Sequence, residues 1–204
     1  MSRARRWLWV ACVGVLLAGC AGEPVPVERF YRPDVAVPAA RTPLRARILV
    51  ESFDAAGVYG DRALVFRGED GTYRQYHYHS WIEAPSNLLR DSLADYLRTV
   101  FGAGQVFTPQ ARVDGDVRLR ARLRHLDQLR DGAGSRAGLG LEVVLSDRDD
   151  ELLGTLNFDE SEACAGAGPG DCQQADAALL GHAYAQIADL IDAKARKLPA
   201  QAGR

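Results

Sequence analysis

Between residues 44 and 51 the side chains take turns: Leu44, Ala46, Ile48 and Val50 are set against Arg45, Arg47, Leu49 and Glu51. A period of two places one set on each face of an extended chain, so a strand with one buried face is predicted. A second strand is predicted over residues 63–67. Gly68-Glu69-Asp70-Gly71 then reads as a turn, because glycine supplies the positive φ that tight hairpins need. A third strand follows over 73–80, with Tyr76 and Tyr78 on one face and His77 and His79 on the other. The period then lengthens to 3.6. Pro85 suits the first turn of a helix, Leu89, Leu93, Tyr96, Leu97 and Val100 form its apolar stripe, and Gly102 suits its end. A fourth strand over 116–126 buries Val117, Leu119, Ala121 and Leu123. Two more follow at 138–146 and 152–158, on either side of the turn Asp147-Arg148-Asp149-Asp150. A second helix over 174–197 carries the stripe Leu180, Ala183, Tyr184, Ile187, Leu190 and Ile191. The order βββα-βββα predicts an α+β fold: a two-layer sandwich, mainly antiparallel sheet, with two helices on one face.

The N-terminal segment has a different pattern. Arg3, Arg5 and Arg6 precede an apolar run over 7–18, which is shorter than the ~20 residues that span a bilayer and fits the core of an export signal. Leu17-Ala18-Gly19-Cys20 resembles the bacterial lipobox, at which a peptidase cleaves before an acylated Cys20. An ordinary export signal with Cys20 as a bystander is the alternative. Five of the nine prolines fall between Pro24 and Pro43. Proline lacks an amide hydrogen and fixes φ, so this stretch reads as an extended tether, reaching ~60 Å if wholly polyproline-like. Phe30 and Tyr31 interrupt it, where the chain first meets the domain. The expected organisation is a leader at 1–19, lipidated Cys20 and tether at 20–43, an α+β domain at 44–198 and a tail at 199–204.

Removing the leader changes the charge. Its three arginines leave with it, so the 25 basic residues fall to 22 against 27 acidic ones. An acidic chain has little to neutralise phosphates with, which argues against nucleic acid as a partner. Membrane attachment then rests on Cys20, where each buried acyl methylene contributes roughly 0.8 kcal/mol. Residue 21 is alanine; enteric lipoproteins retained at the inner membrane carry aspartate there, so an outer-membrane, periplasm-facing location is expected. Cys164 and Cys172 bracket a glycine-rich loop and are expected to form a disulfide in an oxidising periplasm. A metal pair is the alternative, but two thiolates without a nearby histidine make a poor zinc site.

Candidate chemistry is sparse. His77 and His79 could offer two imidazoles from one strand face, but His125 and His182 lie on other elements with no motif joining them, so no metal and no cofactor is expected. Arg118, Arg120, Arg122 and Arg124 form a row on the outward face of the fourth strand. Such a row needs acidic neighbours or an acidic partner. Tyr73, Tyr76, Tyr78 and Trp81 cluster before the first helix, where core packing is the expected use of most of them. No nucleophile elbow and no phosphate-binding loop is present, so an enzyme is not expected.

The middle segment is more specific. Arg62-Ala63-Leu64-Val65-Phe66-Arg67, the tyrosine-rich strand, and Trp81-Ile82-Glu83-Ala84-Pro85 opening a leucine-rich helix resemble the ABC-type transport auxiliary lipoprotein family. The resemblance covers most of 30–197 and is specific in about 60–101; the cysteine-bracketed loop lies outside its pattern. It implies the lipoprotein component of an MCE-type (paraquat-inducible-type) lipid transport system, with an MCE-domain protein and an ABC permease and ATPase as partners. It implies docking or positioning of the transport bridge at the outer membrane. Trp81, Pro85 and the four arginines are the candidate contact residues. A lipid-binding carrier, and an assembly lipoprotein for an outer-membrane barrel or secretion pore, are the alternatives, and a homo-oligomer stays open.

Overall fold

The computed structural model of the chain describes residues 26–132 and 134–198; Cys20, the leader and the tail lie outside the described residues. Eight strands and two long helices follow in the order β1 (Arg29–Tyr31), β2 (Ile48–Ala55), β3 (Ala63–Arg67), β4 (Tyr73–Trp81), α1 (Pro85–Phe101), β5 (Val106–Phe107), β6 (Val117–Asp131), β7 (Gly134–Asp147), β8 (Leu152–Ala163) and α2 (Gln173–Ala195).

All eight strands join one sheet, and β6 is its spine. Along one edge β6 pairs antiparallel with β7 from Val117↔Asp147 to Asp131↔Gly134. Along its other edge β2 and β3 lie one after the other. β2 pairs with the first half (Ile48↔Val117 to Ala55↔Leu123) and β3 with the second (Val65↔Asp127 to Arg67↔Leu129), both parallel. The 3-10 turn Gly57–Tyr59 fills the break between them. β4 returns antiparallel on β3, β1 runs parallel to β4, β5 parallel to β2, and β8 antiparallel to β7.

The sheet is therefore mixed, and the expectation of a mainly antiparallel sheet is corrected. Alternation of side chains reports that one face is buried; it does not report strand direction, which here follows from α1 carrying the chain back across the sheet. The predicted strand at 44–51 begins only at Ile48, although Leu44 is buried.

Both helices cover one face. α1 presents Leu89, Leu93, Leu97 and Phe101, all fully buried, and α2 presents Leu180, Ala183, Tyr184, Ile187 and Ile191. Between them rise Val117, Leu119, Leu123, Leu139, Leu141 and Leu145 from β6 and β7. The two helices are joined by Tyr184, whose hydroxyl donates to the Leu89 carbonyl at 3.2 Å and whose ring meets Tyr96 edge-on at 5.6 Å. Burial makes that phenol harder to ionise.

Part of the proline-rich stretch is docked on this layer. Pro33 is buried, Arg41 donates its amide to the Val100 carbonyl and pairs with Asp189 at 2.7 Å, and Arg196 reaches the Thr42 carbonyl. At the start of α2 the Cys164–Cys172 disulfide closes the glycine-rich loop. Just inside that helix Asp176 is buried at a cavity of about 20 Å³ lined by Leu64, Trp81 and Leu126.

Burial lifts the Asp176 carboxyl to about 7, and the nearby Asp127 charge adds to the effect. Between the ordinary carboxylate value and about 7 the folded chain holds a proton that the unfolded chain has lost, so stability falls as pH rises through that window. Asp176→Asn removes the titration. We expect the variant to gain on the parent, on the order of 4 kcal/mol, between about pH 4 and pH 8 in urea unfolding. Parallel pH profiles for the two proteins would show that Asp176 does not titrate there.

Candidate functional site

The sheet face away from the helices is the open one. Strand alternation sends Val117, Leu119, Ala121 and Leu123 of β6 into the core and Arg118, Arg120, Arg122 and Arg124 to this face. Acidic neighbours meet most of the row. Asp150 takes Arg120 at 2.8 Å and Arg118 at 3.5 Å, Glu51 takes Arg120 at 3.5 Å, and Arg124 reaches Asp159 at 2.5 Å and Glu142 at 4.0 Å. Asp150 sits where it does because the Asp147 carboxylate accepts the amides of Asp149 and Glu151, closing the β7–β8 turn with Asp150 at φ 63°. Arg122 makes no ion pair among the described residues. Exposed pairs of this kind contribute about 0–1 kcal/mol each, so they mainly relieve repulsion along the row.

Beyond Arg124 the face turns into a groove of about 800 Å³. The β6–β7 register shifts between Leu123 and His125, which brings His125 opposite Gly140. A Cβ at Gly140 would lie 2.5 Å from the His125 Nε2 atom, so only glycine leaves room for the imidazole there. Gly138 likewise faces Asp127. The Asp127 carboxylate is buried and accepts a 2.7 Å hydrogen bond from the Tyr59 hydroxyl, while its Oδ1 has no hydrogen-bond partner among the described residues. His125 lies between Asp127 at 3.7 Å and Asp159 at 3.2 Å. Asp127, then Asp159, hold the imidazole charged to higher pH than usual, against burial, which works the other way. Arg67 and Tyr73 form one wall. Burial first, then the bond to Asp127, pushes the Tyr59 phenol far up.

The other expected residues fall elsewhere. Trp81 is 3% exposed and Pro85 is buried, so at that corner the solvent-facing apolar side chain is Ile82. Trp81 anchors the corner instead, its amide bonded to the Arg62 carbonyl at 2.6 Å. Only Trp81 of the aromatic cluster is fully buried. Tyr76 is half-buried against Gln128 and Arg130, and Tyr73 and Tyr78 are exposed at 48% and 45%. The reason is an irregularity in the hairpin: Val65 pairs with Gln75 but Ala63 with Ser80, so β4 carries extra residues and Tyr76 and Tyr78 part company. His79 is engaged by the Tyr31 hydroxyl at 2.6 Å, and His182 pairs with Glu160 on the helix side. Among the described residues no group of three or more metal-ligating side chains forms.

A comparison with family models matches residues 32–188 to the ABC-type transport auxiliary lipoprotein component family. The chain belongs to that family. The family is an auxiliary component of transport rather than a class of enzyme. A crystal structure of XCC0632 from Xanthomonas campestris, described under the family model DUF330, is 17% identical with a TM-score of 0.69, covering 83% of this chain and 98% of that one. A crystal structure described as an uncharacterized protein is 18% identical with a TM-score of 0.64, covering 81% and 99%. At such identities they establish the shared fold. A comparison with curated proteins gives no match. Among the described residues no helix is long and apolar enough to cross a membrane.

Sequence reading missed Tyr59 and Asp127 in this auxiliary lipoprotein. Its one available signal was the Gly138-Leu139-Gly140 alternation, which strips side chains from the outer face of β7 opposite them. Tyr59→Phe should leave a buried Asp127 oxygen unpaired and cost about 1–3 kcal/mol. The urea midpoint checks this; an unchanged midpoint would show that the carboxylate does not depend on the phenol.

Proposed function

We propose that this protein is the outer-membrane-anchored auxiliary lipoprotein of an MCE-type ABC lipid transport system, docking or positioning the transport bridge. The anchor is the acylated Cys20, and the docking face is the open face of the sheet. One observation carries the reading: the fold is finished on one face and unfinished on the other. Helices seal one side with a filled core, while the opposite side shows arginines and carboxylates over a rigid sheet. Arg122, which makes no ion pair among the described residues, would meet an acidic group of the partner. Positioning of this kind makes and breaks no bond.

A lipid carrier needs an apolar cavity of some hundreds of Å³. Between sheet and helices the cavity at Trp81 measures about 20 Å³, and the larger spaces are grooves with charged walls, of about 250 Å³ beside residues 32–38 and about 800 Å³ at His125. Packing therefore favours a docking body over a carrier.

Affinity capture of the full-length lipoprotein from native membranes, with mass spectrometry of the Cys20 peptide and of co-purifying proteins, tests this. An acylated Cys20 together with an MCE-domain protein and its permease is the expected result. A barrel protein recovered in their place would move the function to outer-membrane assembly, and phospholipid alone would move it to carriage.

A further inference from the structure

At the sheet corner where the N-terminal segment enters the domain, the β1–β4 edge carries an apolar patch set apart from the arginine row. Phe30 of β1 pairs with Ser80 of β4, so the two point the same way. Tyr78 and Ile82 flank Ser80 at a spacing of two, and the ladder continues past the strand, since the Ile82 amide bonds the Tyr31 carbonyl at 2.9 Å. Phe30 and Ile82 therefore share one face, Tyr78 lies just before them on β4, and the three are 53%, 44% and 45% exposed. Their in-strand neighbours Tyr31, His79 and Trp81 point to the other face, where Tyr31 and His79 stack. The Arg62 guanidinium lies 5.3 Å from the Phe30 ring centre and its Nε donates to the Trp81 carbonyl. Among the described residues Arg62 has no carboxylate partner. The patch thus joins one aromatic ring, one amphipathic phenol, one aliphatic chain and one unneutralised cation.

We infer that this corner is a membrane-contact surface, on which Phe30, Tyr78 and Ile82 enter the lipid headgroup region while Arg62 meets phosphate. The inference rests on the proposed acyl anchor at Cys20. Arg29 lies only nine positions after Cys20, so even a fully extended chain spans about 30 Å at ~3.3–3.6 Å per residue. The corner is thus the part of the domain that the anchor holds nearest the bilayer. Its chemistry suits that place. Tyrosine and other amphipathic rings favour the interface between water and hydrocarbon, and arginine beside them reaches phosphate while its stem stays on apolar surface. A second contact would also orient the domain, which a single acyl anchor does not do. A second copy of this chain adding to the β1 edge is the rival occupant, and the test separates it.

Full-length acylated protein, in separate Ile82→Cys and Tyr78→Cys versions, would be labelled with an environment-sensitive fluorophore and mixed with phosphatidylethanolamine–phosphatidylglycerol vesicles. Cys164 and Cys172 are oxidised and Cys20 is acylated, so the new thiol takes the label. Labels at Val144→Cys, on the open sheet face, and at Leu152→Cys serve as references. We expect the emission at positions 82 and 78 to shift to the blue on vesicle binding and to be lost to headgroup-linked quencher, with no change at 144 and 152. Vesicle co-sedimentation with unshifted emission at 82 and 78 would overturn the membrane contact and leave the anchor standing. A shift that follows protein concentration without vesicles would overturn it in favour of a second copy. Absence of acylation and of co-sedimentation would remove the anchor, and this inference with it.

Discussion

One strand, β6, is hydrogen-bonded along both edges, and most of the molecule depends on that. β7 holds one edge from end to end, while β2 and β3 divide the other between them. A strand paired on both sides cannot slip by one residue without turning its whole hydrophobic set to the wrong face. That constraint commits Val117, Leu119, Ala121 and Leu123 to the helices and the arginine row to solvent. It also sets the break at Gly57–Tyr59, because two strands sharing one edge must be separated by something. The turn in that break delivers Tyr59 to Asp127, so the buried hydrogen bond at the head of the groove follows from the pairing scheme.

The two faces are stabilised by different physics. On the helix side, interlocked Leu, Ile, Val, Phe and Tyr side chains supply the stability, at about 25 cal/mol per Å² of apolar surface removed from water. On the open side, the exposed ion pairs around Asp150, Glu51 and Asp159 contribute little to folding. They do set a pattern of charge on a stiff surface. A stiff, patterned face costs little ordering entropy when a partner arrives, which suits a docking role better than a catalytic one.

What could be read from the sequence divides along the same line. Local periodicity found the helix stripes, the inward set on β6 and the outward arginines, since each is written in neighbouring residues. The disulfide was legible because two cysteines flank a short glycine-rich loop. Partner choice was not legible: β2 and β3 alternate in the same way whether their neighbour runs parallel or antiparallel. β1 and β5, of three and two residues, are too short to show a period. The groove was missed because its parts, Tyr59, His125, Asp127 and Gly140, come from three separate stretches and meet only through a register shift. Trp81 stood out as a contact candidate at the corner, and its size is what draws it into the core.

The claim at the centre of this account is that the open sheet face receives the transport bridge. In-cell photocrosslinking from Val144 on that face, with Ala178 on the exposed side of α2 as the reference position, tests it most directly. The account predicts an adduct to the MCE-domain protein from position 144 and none from 178. Crosslinks to that protein from 178 alone would place the docking surface on the helices and contradict it.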